Sequence, residues 1–149
     1  MTKRVLAIAS AGGHWQQLML MRPSYAHHDV HYVNTLDGLA AQFEASPATV
    51  IPDCNRNTPG RALLTLGALI KLMIKVRPQV IISTGALPGV MALALGKLTG
   101  ATTIWVDSVA NAEEMSSSGR LARRFATHWL SQWETPAREA GALYKGSIL

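Results

Sequence analysis

Short apolar runs alternate with longer stretches of helical periodicity along the whole chain. Val5-Leu6-Ala7-Ile8-Ala9, Val30-His31-Tyr32-Val33, Thr49-Val50-Ile51, Val80-Ile81-Ile82, Thr102-Thr103-Ile104-Trp105-Val106 and His128-Trp129-Leu130 read as strands. Between them, helices are predicted over His14–Met21, Leu39–Phe43, Arg61–Val76, Val90–Leu98 and Leu121–Ala126. Arg22-Pro23 and Arg77-Pro78 stop two of these helices, and Gly100 closes a third in a left-handed cap. Near-continuous apolar strands separated by helices predict an α/β domain with a Rossmann-like parallel sheet covered on both faces. No repeat, linker or low-complexity stretch interrupts the pattern, so residues 1–149 read as one domain.

In such sheets ligands sit beyond the carboxyl ends of the strands. Three turns at those ends carry candidate chemistry. Ser10-Ala11-Gly12-Gly13-His14 sets two glycines where a strand feeds a helix, so backbone N–H groups can approach a phosphate or sugar. It lacks the three-glycine dinucleotide fingerprint, and the Walker lysine is absent too. The bare spacing is equally that of a tight capping turn. Ser83-Thr84-Gly85-Ala86-Leu87-Pro88-Gly89 is the second such turn, and Asp107-Ser108 opens the third. His14 could accept a proton from a hydroxyl nucleophile, or only bond within its own turn. Asp107 could hold a sugar hydroxyl, orient His14, or cap the following segment.

Composition narrows the field. Hydrophobic residues make up 48% and charged residues 15% of the 149, which excludes disorder. Cys54 is the single cysteine, so no internal disulfide can form, in keeping with a reducing compartment. The N-terminal apolar run is too short for a signal core, and no run reaches the length of a spanning helix. Net charge is +5, and the stretch between Cys54 and Val106 accounts for it with Arg56, Arg61, Lys71, Lys75, Arg77, Lys97 and no acid. These cations sit among Leu, Ile, Met and Val rather than polar and aromatic residues, which argues against nucleic acid. In the Arg61–Val76 helix, Arg61, Thr65, Lys71 and Lys75 project to one side, opposite an arc of Leu66, Leu69, Ile70, Met73, Ile74 and Val76. That pattern suits a helix lying on an anionic membrane, or a core helix whose lysines reach solvent. His27, His28 and His31 complete no metal spacing, and no cofactor motif is present.

Together, Ser10-Ala11-Gly12-Gly13-His14, Ser83-Thr84-Gly85, Asp107-Ser108, Ser116-Ser117-Ser118-Gly119-Arg120 and Leu130-Ser131-Gln132-Trp133-Glu134 resemble one family across nearly the whole chain. It is the membrane-associated subunit of the two-component UDP-N-acetylglucosamine transferase of lipid-linked oligosaccharide synthesis, whose bacterial relatives act in capsule and exopolysaccharide synthesis. More distantly, the chain looks like the N-terminal half of the glycosyltransferase that makes the peptidoglycan lipid precursor. The resemblance implies the N-terminal half of a GT-B enzyme, which takes a lipid-linked saccharide acceptor while a separate catalytic subunit binds the UDP-sugar. It implies no cofactor, inactivity of the single chain, and a peripheral place on the inner face of the cell membrane. On it, His14 and Asp107 become the catalytic candidates. Ser10, Gly12, Gly13, Ser83, Thr84, Gly85, Gly89 and Ser108 become acceptor or phosphate contacts, and Arg61, Lys71 and Lys75 membrane contacts. Ala86-Leu87 stands where the family often has Gly-Pro, and Asp107 where it often has glutamate, which favours a bacterial polysaccharide pathway. The alternative is a non-catalytic adaptor that recruits the transferase to the membrane.

Overall fold

The computed structural model describes residues 1–149. Seven strands form one sheet: β1 (Arg4–Ile8), β2 (Asp29–Asn34), β3 (Ala48–Val50), β4 (Val80–Ser83), β5 (Thr102–Val106), β6 (His128–Ser131) and β7 (Leu143–Tyr144). Their order is β3-β2-β1-β4-β5-β6-β7, and every neighbouring pair is parallel. The helices are α1 (Gly13–Leu20), α2 (Leu39–Gln42), α3 (Pro59–Val76), α4 (Leu87–Thr99), α5 (Ser117–Ala122) and α6 (Glu134–Ala140), with a 3₁₀ turn at Arg22–Ser24. This is the Rossmann-like sheet expected, covered on both faces.

The strand period of two explains why β1 is apolar throughout. Leu6 and Ile8 enter one core with Leu69, Leu72, Ile81, Leu93 and Trp105. Val5, Ala7 and Ala9 enter the other with Trp15, Leu18, Tyr25 and Tyr32. Helix α4 seats on the first of these faces through two glycines seven residues apart. A Cβ at Gly89 would collide with Ser83, and one at Gly96 would press on Ile81 and Thr103.

Several elements differ from the expectation. The predicted helix at Leu121–Ala126 lies earlier, at Ser117–Ala122, because Ser116 caps it by accepting from the Gly119 N–H at 2.8 Å. Helix α4 begins at Leu87, not Val90, since Pro88 fits a first helical turn. Gly89 is therefore helical rather than part of the turn. Helix α6 and strand β7 were not anticipated: the Trp-Glu-Thr-Pro start is polar, and β7 has only two residues. Helix α3 is rotated relative to the projected faces. Thr65 is buried, not on the basic side, because its hydroxyl donates to the Pro52 carbonyl at 2.7 Å. Leu63, Leu64, Ile70 and Ile74 instead stand 71%, 66%, 42% and 68% exposed, beside exposed Lys71 and Lys75.

The edge strand is pinned by a titratable group. His31 on β2 hydrogen-bonds Thr49 Oγ1 on β3 at 2.7 Å. Burial and then Lys75 lower its pKa below 6.5, while Asp29 opposes them. The unfolded chain therefore takes up this proton first, so the contribution is intact above pH 6.5 and fades as pH falls through the lowered folded value. Acidification from pH 7 to 5 should lower Tm, and His31→Gln should show a shallower decline in thermal scans across that window.

Candidate functional site

Strands β1 and β4 are neighbours whose outgoing turns leave to opposite faces of the sheet, and the crevice between them holds the candidate site. Gly12 allows the first turn: its φ of 92° and ψ of −141° are closed to residues with a Cβ. The chain then enters α1 with no side-chain cap, which leaves the early backbone N–H groups of α1 open. Thr84 Oγ1 donates to the His14 carbonyl and bolts the two glycine turns together. The His14 ring lies flat enough against Gly85 that a Cβ there would overlap it. Its Nδ1 is buried with no hydrogen-bond partner.

A cavity of about 500 Å³ opens at this point. Ser10, Ala11 and His14 line it from the first turn, Asp53 to Asn57 from the β3–α3 loop, Ala86 and Leu87 from the start of α4, and Ser117, Ser118 and Leu121 from α5. The loop is braced from both sides. Arg61 Nε donates to the Asp53 carbonyl at 2.9 Å, and Asp53 Oδ1 accepts from the Cys54 N–H at 2.9 Å and from Ser10 Oγ at 3.3 Å. Arg61 thus works on the cavity wall as well as on the basic helix. Arg56 is the one cation in the lining. No three His, Cys, Asp or Glu side chains gather into a metal-binding set.

Of the expected contacts, Ser10 and His14 reach the cavity, while Gly12 and Gly13 are exposed at its turn. Ser83, Thr84 and Gly85 lie buried behind it. Ser83 Oγ accepts from the Gly85 N–H at 3.3 Å, and Gly89 packs on Ser83 and Trp105, away from the cavity. Asp107 is not brought to His14. Its carboxylate is 2% exposed and accepts from Ser116 N at 2.8 Å, Ser116 Oγ at 2.6 Å and Trp105 Nε1 at 3.1 Å. It holds the segment that delivers Ser117 and Ser118 to the cavity. Ser108 is likewise buried, accepting from Gln17 Nε2 at 3.0 Å.

Sequence reasoning missed the polar network behind these groups. Gln132 Nε2 donates to Gln17 Oε1 at 2.7 Å and to the Asp107 carbonyl at 2.9 Å. Gln17 Oε1 also accepts the Val109 N–H at 3.0 Å, and Gln132 Oε1 accepts from Ile148 N at 3.2 Å. The available signal was Gln17 falling among the buried Trp15, Leu18 and Met19 of α1. Arg56 and the two flanking asparagines were also unassigned, because a loop without periodicity gives no facing.

No protein-family model matches the chain, and no curated protein sequence matches it. Solved structures match by fold. MurG of Acinetobacter baumannii superposes with a TM-score of 0.72 at 13% identity, over 89% of this chain and 42% of that one. The UDP-N-acetylglucosamine 2-epimerase of Rickettsia bellii gives 0.75 at 13% identity, over 99% and 46%. The UDP-GlcNAc 2-epimerase of Neisseria meningitidis, solved bound to UDP-GlcNAc, gives 0.70 at 11% identity, over 91% and 42%. The chain thus spans less than half the length of these proteins and has the half-size, Rossmann-like GT-B fold.

The Asp107 cluster and His14 should separate cleanly in stability measurements. Asp107→Ala strands the buried Trp105 donor and the half-buried Ser116 donors and should cost about 3 kcal/mol in urea unfolding. His14→Ala removes a ring whose buried nitrogen has no partner, and should cost about 1 kcal/mol or less.

Proposed function

We propose that this chain supplies the acceptor-binding, membrane-facing half of a two-component glycosyltransferase. The enzyme moves a sugar from a UDP-sugar to a lipid-linked saccharide in polysaccharide synthesis. The observation that carries this reading is the continuity between the cavity and α3. The loop that walls the cavity, Asp53 to Asn57, runs directly into a helix with Leu63, Leu64, Ile70 and Ile74 exposed beside Lys71 and Lys75. A substrate with a polar head and a lipid tail needs such a pairing: the head in a polar cavity, the tail in a membrane against which α3 lies. No helix of the fold is long and apolar enough to cross that membrane.

The GT-B fold supports the class of donor. The two epimerases carry UDP-N-acetylglucosamine in their names, and a sugar nucleotide is accordingly the donor assigned to the partner half. That partner faces the carboxyl-end crevice and the nearby aromatic surface, where Trp133, Leu143 and Tyr144 are exposed. An interface of this kind buries on the order of 1,000 Å² or more.

In this scheme Gly12, Gly13 and Ser10 bring backbone and hydroxyl groups to the acceptor head, and His14 touches it. Asp107 is a positioning residue that fixes the Ser117 and Ser118 wall.

Reconstitution tests the reading. Transfer from UDP-N-acetylglucosamine or another UDP-hexose to membrane lipid should require both this chain and a co-purifying donor-binding subunit. Transfer by the single chain would refute the pairing. In the complex, His14→Ala should lower turnover about a hundredfold or more with assembly intact; near-normal turnover would leave the chain as an adaptor.

Attachment is checked separately. Each lysine near an anionic surface contributes about 1 kcal/mol, screened by salt. Lys71→Glu with Lys75→Glu should release the protein from phosphatidylglycerol vesicles in flotation assays, and unchanged binding would place the contact elsewhere.

A further inference from the structure

The environment of the His14 ring determines which nitrogen carries its hydrogen. The buried nitrogen is Nδ1, which has no hydrogen-bond partner. Gly85 packs across the crevice, where a Cβ would overlap the ring at Nδ1, Cε1 and Cγ alike. That contact is with the face of the ring, so it leaves the in-plane direction of the Nδ1 lone pair or hydrogen untouched. A hydrogen on Nδ1 would bury a donor without an acceptor. Orphaned buried N–H groups are rarer in folded proteins than unused lone pairs. The neutral ring therefore keeps its hydrogen on Nε2, the nitrogen left to the cavity side.

The rest of the lining agrees with a donor there. Arg56, Asn55, Asn57, Ser117 and Ser118 all bring N–H or O–H groups to the cavity. The one acid in the lining, Asp53, turns Oδ1 to Ser10 Oγ and the Cys54 N–H. A wall of donors around one guanidinium matches a phosphoryl oxyanion.

We infer that His14 works as a fixed Nε2–H donor to a phosphate oxygen of the acceptor, and not as the base that takes the acceptor's proton. The role in transfer rests on the function proposed above; the tautomer and the anion contact do not.

The test uses the full chain labelled with ¹⁵N at histidine. Long-range ¹H–¹⁵N correlation at alkaline pH, with His14→Gln to identify the signal, should show Nδ1 unprotonated and Nε2 protonated. A ring protonated on Nδ1 overturns the inference. Inorganic pyrophosphate should then shift the His14 Nε2 resonance in a saturable way, and unmoved His14 signals also overturn it. His14→Ala should weaken pyrophosphate binding about tenfold or more, as expected for one hydrogen bond to a charged group. His14→Gln, whose amide can donate but cannot take up a proton, should stay within about threefold of the parent. In the reconstituted transferase the same variant separates the two roles. Retained turnover in His14→Gln supports the donor, and loss matching that of His14→Ala overturns it. If no partner yields sugar transfer while the tautomer and pyrophosphate results hold, the proposed function fails and the donor assignment stands.

Discussion

Strand addition changes direction between β1 and β4. After β1 the sheet grows outward through β2 and β3, then the chain crosses back through α3 to place β4 on the other side of β1. Right-handed crossovers then require α1 and α4 to pack on opposite faces of the sheet. The two turns feeding them must diverge, and a crevice opens where they part. Everything chemically notable in the molecule gathers at that seam. Thr84 clamps the turns at the His14 carbonyl, the His14 ring fills the gap left by the absent Gly85 side chain, and the β3–α3 loop roofs one side. The cavity is a consequence of topology, and its side chains decide its use.

Holding that seam in shape is the task of buried amides. Gln17 and Gln132 come from α1 and the end of β6, yet Gln17 satisfies Ser108 Oγ and the Val109 N–H, and Gln132 the Asp107 carbonyl, all in the β5–α5 segment. Unpaired, such groups would be costly in this interior; paired, they lock the relative position of three elements. Asp107 extends the same lock to Ser116 and thereby to α5. The polar residues at the carboxyl edge therefore divide into a supporting layer, nearly solvent-free, and a facing layer drawn from Ser10, His14, Arg56, Ser117 and Ser118.

The distinction between those layers is what sequence patterns could not supply. Apolar alternation located the six longer strands and the helices between them, since burial on both faces leaves a continuous apolar signature. It could not locate α6 or β7, whose few residues carry little periodicity. The glycine turns and His14 stood out because a glycine pair at a strand end serves either a ligand's phosphate or a tight capping turn. Asp107, Ser83 and Ser108 looked like ligand contacts for the same reason, as polar residues at strand ends. Tertiary partners, themselves distant in sequence, turn them inward. In α3 the projection mixed the faces because Thr65 is polar yet satisfied inside, while Leu63 and Leu64 are apolar yet outside.

The seating of α4 on Gly89 and Gly96 bears on how this cavity can evolve. The helix is already as near the sheet as Ser83, Ile81 and Thr103 allow, so it cannot retreat further to enlarge the site. Lifting it would open gaps along the core around Leu93 and Trp105, at a cavity cost paid along two turns. Variation in the size of a ligand held here must therefore run through side chains at the rim, with Leu87 and Leu121 the two whose trimming widens the space directly. Drift toward a bulkier ligand would show first as changes at those two positions, over an unaltered pair of glycines.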